Sequence, residues 1–200
     1  YAQVDGVRVK PEPQFHICLS NPEVQQIVIK NILANLRKAG HPKDVDAVIS
    51  LEPSDGHQFC DCEPCRALDD PQLKARNGGI KRLGNASMSN RVVYFSNQVL
   101  NGVNKEYPNV KGAILAYLAH SEAPTKFKPH KNLIVAPTTM AAAYGDLSKF
   151  LDDPRSGGNK NFKELLEGWG QLSPIVTREY FSGGTWYGPL PILHVLQDPF

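Results

Sequence analysis

The chain has 200 residues, one domain on the usual span of about 100–200. Its 22 basic and 20 acidic side chains leave a formal charge of +2, and 41% of its residues are hydrophobic. This excludes wholesale disorder, offers no basic stripe for nucleic acid, and leaves no apolar run near the ~20 residues of a membrane span.

The first predicted element is a buried strand over the apolar run Phe15-His16-Ile17-Cys18-Leu19. A helix starts after Ser20: Asn21 can cap it, Pro22 suits its first position and Glu23 complements its dipole. Val24, Val28, Ile32 and Leu36 recur at intervals of four, with Ile27 and Leu33 widening the stripe, until Gly40 and Pro42 end the helix. Residues 47–51 form the second strand. A loop over residues 52–88 follows, too long to be idle in a compact domain. The next helix begins near Ser89, with Val92, Ser96, Val99 and Val103 on one face and Val93 and Leu100 beside it. Strands three and four cover residues 110–119 and 133–136. Residues 138–161 read as mostly loop. Phe162, Leu165, Leu166 and Trp169 mark an amphipathic helix, and residues 175–181 a fifth strand.

Apolar strands alternating with amphipathic helices indicate a parallel sheet covered by helices. A doubly wound open sheet and part of a (β/α) barrel both fit. Neither G-x-G-x-x-G nor a P-loop occurs, so nucleotide binding loses its main support. Gly78-Gly79 and Gly183-Gly184 read as turns. Five strands are too few to close an eight-stranded barrel. The chain also opens at Tyr1 without a signal-peptide pattern, and residues 189–196 enter a new element. The expectation is one partial domain over residues 1–200, excised from a longer chain.

In either architecture chemistry gathers at the carboxyl ends of the strands. That rule selects Glu52, Asp55 and His57 after the second strand and Tyr117, His120 and Glu122 after the third. It also selects Glu179 and Tyr180 in the fifth. Glycoside hydrolysis fits this inventory, because it needs two carboxyl groups facing each other across a sugar. Trp186 and Tyr187 are candidate platforms for the apolar face of a sugar ring. A solvated or ion-paired loop carboxylate is the ordinary alternative for each acidic residue.

Four cysteines are too few for a disulfide scaffold, but Cys60, Cys62 and Cys65 form C-x-C-x-x-C. Such a run is a good metal clip, and Cys18 ends the preceding strand within reach. Four thiolates would complete a tetrahedral structural zinc site with no coordination position left for catalysis. One or two disulfides, or free buried thiols, are the alternatives.

Several segments together resemble a bacterial family labelled as a domain of unknown function. They are Asp5-Gly6-Val7-Arg8, Cys18-Leu19-Ser20-Asn21-Pro22-Glu23-Val24, Ser50-Leu51-Glu52-Pro53-Ser54-Asp55-Gly56 with Phe59-Cys60-Asp61-Cys62-Glu63-Pro64-Cys65, Ser89-Asn90-Arg91-Val92 with Phe95-Ser96-Asn97, Tyr107-Pro108 and Ala116-Tyr117. That family looks related to α-glucuronidases and includes glycoside hydrolase family 163, endo-β-N-acetylglucosaminidases acting on complex N-glycans. The resemblance implies a (β/α)8 TIM-barrel-like catalytic domain, of which this chain is the central and C-terminal part. It also implies a carbohydrate substrate and an exported protein, secreted or periplasmic. If the Cys18 strand is the barrel's third, Glu52 ends the fourth and Glu179 the seventh. Glu52 is then the general acid/base and Glu179 the nucleophile. Asp55, His57, Tyr117, His120, Tyr180 and Trp186 would bind substrate or tune its chemistry. For a 2-acetamido sugar, a substrate-assisted route is the rival, with Asp55 or Glu52 orienting the acetamido group. A non-catalytic carbohydrate-binding barrel and a protein-interaction role for the cysteine loop are the other readings.

Overall fold

A computed structural model describes residues 1–9, 16–76, 78–138 and 157–178, with side chains from residue 160 onward in the last stretch. Chain order is β1 (Gln3–Val4), β2 (Val7–Arg8), α1 (Pro22–Lys38), β3 (Ala47–Ser50), α2 (Glu63–Ala67), α3 (Ser89–Val103), β4 (Val110–Ala116), β5 (Leu133–Pro137) and α4 (Gly157–Gly170). Among the described residues no helix is long and apolar enough to cross a membrane.

β1 and β2 form an antiparallel hairpin around Asp5-Gly6, whose φ values of +50° and +80° fit the tight turn that Asp-Gly favours. α1 begins as its sequence dictates. The Asn21 side chain accepts from the Glu23 and Val24 amides at 2.8 and 3.2 Å. Its buried face is narrower than the stripe suggests: Ile29 and Gln25 are buried, Val24, Val28, Ile32, Leu33 and Leu36 partly so, and Ile27 is exposed. The Gln25 amide pulls that face inward by donating to the Leu19 carbonyl at 2.9 Å.

α3 is the central helix. Val92, Val93, Val99, Leu100 and Val103 are buried as predicted, together with Ser96. It packs between α1 and a parallel sheet of order β3-β4-β5. β4 and β5 alternate buried and half-buried residues, with Val110, Ile114, Leu133 and Val135 facing the core. Gly112 in β4 lies where a Cβ would meet Leu51 and Leu100, so a side chain there would clash with the core.

Five expectations change. The third strand stops at Ala116, and residues 118–120 form a 3-10 turn instead. Residues 16–19 join no strand ladder; their burial comes from the cysteine cluster and from α1, and Ile17 is exposed. The loop of residues 52–88 contains α2, a single 3-10 turn at Lys81–Leu83 and a bridge between Lys74 and Ala86, so it is tied down along its length. α4 starts at Gly157, earlier than its apolar stripe suggested. Residues 175–178 make two isolated parallel bridges along β5, Ile175 with Val135 and Arg178 with Thr138, instead of a continuous strand. Pro137 of β5 has no amide hydrogen to donate, so the ladder loses a rung there. The core of α4 is nonetheless as read, with Phe162, Leu165 and Trp169 buried.

Candidate functional site: a four-cysteine cluster beside a Glu–His pair

The hairpin, the Cys18 segment and the long loop converge on four buried thiols. The Sγ atoms of Cys18, Cys60, Cys62 and Cys65 all lie within 4.8 Å of one another. Cys18 stands 3.7 Å from both Cys62 and Cys65, and Cys60 stands 3.3 Å from Cys62. A tetrahedron with Zn–S bonds of ~2.3 Å has S···S edges of about 3.8 Å, whereas a disulfide bond is ~2.05 Å. The separations therefore have the metal-site scale, and all four cysteines are unbridged.

Local structure explains the convergence. Cys62 is the cap residue of α2 and Cys65 lies in its first turn, with Pro64 between them at an early helical position that suits it. The Gln3 amide donates to Cys60 Sγ at 3.2 Å. Ser20 Oγ stands 3.0 Å from Cys65 Sγ. Crowding polarises the thiols. Hydrogen bonds from Cys60 and Cys65 drive the Cys18 thiol far below its ordinary range. The contact with Cys18 pushes Cys65 far up. Four thiols so placed form a soft donor set from which a divalent cation would displace protons.

A second cluster sits at the carboxyl ends of β3 and β4. Glu52 Oε2 accepts from the Leu115 amide at 2.6 Å, and Glu52 Oε1 lies 2.9 Å from His120 Nε2. Glu52 takes over where β3 stops: the Leu51 amide still donates to the Ala113 carbonyl, and the Glu52 side chain supplies the next acceptor for β4. His120 is buried and its Nδ1 has no partner among the described residues. It sits in a 3-10 turn (Leu118–His120) opened by Leu118, whose φ of +43° is strained for a branched side chain. Gly78 presses on that turn; a Cβ there would stand 2.8 Å from Leu118 Cβ. Phe59 lies 6.4 Å from the His120 ring and stacks on His16 with centroids 3.9 Å apart. Glu52 lines a cavity of ≈ 180 Å³ with His16, Leu19, Leu51, Pro53 and Phe95.

The other predicted residues fall outside this contact. Asp55 and His57 are exposed on the loop and reach His16 only through space. Burial lowers the His16 pKa, and the His120 and His57 charges lower it further. Tyr117 ends β4 half-buried. Glu122 is buried beside Arg76, and burial raises its pKa against that neighbour's pull. Glu179, Tyr180, Trp186 and Tyr187 lie outside the described residues.

Two residues not singled out by sequence reasoning connect the pieces. Arg91, fully buried in α3, binds both Asp69 oxygens at 2.5 and 2.6 Å and also donates to the Cys60 carbonyl. The neighbouring Asn90 side chain accepts from the Thr125 and Lys126 amides at 3.1 and 2.9 Å. A charged side chain on an otherwise apolar helix face was the available signal.

No curated protein and no solved structure matches the chain. One family model matches residues 1–198, almost the whole length. Its description is "Domain of unknown function (DUF4838)", and the chain belongs to that family.

Proposed function

We propose that this chain is the central and C-terminal part of a (β/α)8 catalytic barrel. In this reading the protein is an exported glycoside hydrolase, related to α-glucuronidases and family 163 endo-β-N-acetylglucosaminidases, that acts on glycans or polysaccharides. The observation that carries the proposal is the Glu52–His120 pair. Two residues from the ends of adjacent parallel strands meet at 2.9 Å, and Glu52 opens onto a cavity. Strand order supports the architecture. β3, β4, β5 and the bridged segment 175–178 lie side by side in chain order and parallel, as barrel strands do, with no order reversal among them.

Glu52 is the proton-transferring carboxyl, with His120 holding one oxygen in place. Glu179 is the nucleophile. The four cysteines hold a structural zinc ion; a closed tetrathiolate site supplies folding energy and no open coordination position. Glu52→Gln and Glu179→Gln each reduce turnover of the full-length protein by about 10²–10⁴-fold in a glycan-hydrolysis screen. Near-wild-type turnover in either variant removes that residue from the mechanism.

One observation favours a second reading, a carbohydrate-binding barrel without chemistry. Both Glu52 oxygens are engaged by protein donors, so the carboxylate also serves as a strand terminator. Calorimetric binding of glycans by the wild-type protein with no hydrolysis, unchanged in Glu179→Gln, selects it.

A further inference from the structure

We infer that metal occupancy of the four-cysteine site builds one wall of the Glu52 cavity, making the cavity's shape metal-dependent. This rests on the zinc reading above. It goes beyond structural support in general, because it assigns the metal a defined output.

The argument starts from adjacency along the chain. Cys18 is flanked by Ile17 and Leu19, and His16, Ile17 and Leu19 all line the cavity. Cys60 is preceded by Phe59, whose ring carries the His16 ring at 3.9 Å with planes only 20° apart. The Gly56 carbonyl stands 3.1 Å from His16 Nε2, so the same loop grips His16 a second time. The arm that delivers cavity wall therefore carries one thiol, and the arm that grips it through His16 carries the next two. Their Sγ atoms meet at 3.7 Å between Cys18 and Cys62.

Among the described residues, few other bonds join the arms. Neither residues 16–20 nor residues 56–62 belong to a strand or helix. The hairpin closes over them through single bonds: the Ala2 amide to the His16 carbonyl at 3.2 Å, the Asp61 amide to the Gln3 carbonyl at 2.8 Å, and the Asp5 amide to the Asp61 carboxylate at 2.6 Å. Around the cysteines the apolar cluster adds only Ala2 and Val9, and each arm sends one residue, Leu19 and Phe59, into the main core. Two buried side chains and so small a cluster hold the three segments weakly; four metal–thiolate bonds add far more. By contrast α3, β4 and β5 share a continuous core that does not depend on the cysteines.

The test is hydrogen exchange on the full-length protein under reductant, as purified, after chelation, and after adding back Zn²⁺ alone. Metal content is measured in parallel. The expected result is one zinc per chain. Exchange at residues 16–20, 56–62 and the hairpin rises about tenfold or more on chelation and returns on add-back, while α3, β4 and β5 stay protected. A second variant guards against general unfolding. Phe59→Leu leaves every cysteine in place, so it retains one zinc but loosens residues 16–18. A protein that neither carries nor binds zinc overturns the inference together with the zinc reading. Zinc that binds and leaves without changing exchange at residues 16–20 overturns the inference alone. So does protection lost equally across α3, β4 and β5.

Discussion

Replacing Arg91 with Met tests the connection between the central helix and the cysteine loop. The Arg91 side chain is 1% exposed and its partner Asp69 11%. Arg91 binds the carboxylate through two nitrogens and the Cys60 carbonyl through a third. Met fills most of the arginine stem's volume but removes all three donors. Removing one partner of a buried pair typically costs about 3–5 kcal/mol, because the surviving charge stays buried without compensation. For a domain of this size each kcal/mol moves Tm by ~2–4 °C, so the expected loss is roughly 6–20 °C in a calorimetric scan of the reduced protein. Arg91→Lys keeps the charge but not the planar fork and should fall between. Arg91→Met with Asp69→Asn should recover part of the loss, since the stranded charge is gone. An Arg91→Met protein melting within about 2 °C of wild type would refute the reasoning.

Other outcomes follow from the same geometry. Burial lifts the Glu122 pKa, with Arg76 and Glu164 as the charged neighbours. The folded state thus holds that proton more tightly than the unfolded one. The associated stability is fully present below the unfolded value and is lost as pH rises through the raised folded one. Glu122→Gln should therefore gain on wild type as denaturant midpoints are measured from pH 4 upward; a gap that does not change with pH refutes this. Gly78→Ala meets both a φ of +64° and Leu118 Cβ at 2.8 Å, and should cost about 1–3 kcal/mol in a chemical melt. A neutral effect means that the Leu118 turn yields freely. Thiol titration of the native protein should find four slow cysteines with zinc and four faster ones after chelation; equal rates count against a metal at the cluster.

What the sequence reveals here depends on how local the cause is. The Asn21 cap, the α3 stripe and the cores of β3, β4 and β5 follow from nearest-neighbour patterns, and each stands where its pattern puts it. The convergence of Cys18 on C-x-C-x-x-C was legible because thiol spacing is itself a chemical constraint. The strand-end rule found both Glu52 and His120, but not their pairing. Their contact spans 68 positions and depends on the Leu118 turn, for which the sequence carries no marker. Residues 16–19 misled because a run that packs against sulfur looks, in sequence, like one that packs in a sheet. The Asp5-Gly6 hairpin carries a good local signal, the Asp-Gly pair between Val4 and Val7. Arg91 is legible only as an oddity, a charge on an apolar face: nothing local tells whether such an arginine is buried and paired or reaches water.

The Leu115 amide donates its hydrogen bond to a side-chain oxygen where a neighbouring strand would ordinarily present a carbonyl. A strand holds its carbonyl in place, and a side-chain carboxylate can turn away. The Leu115 amide is therefore a native spectroscopic reporter. Its nitrogen and proton shifts will move when the Glu52 carboxylate turns toward a bound molecule, without a label or a substitution.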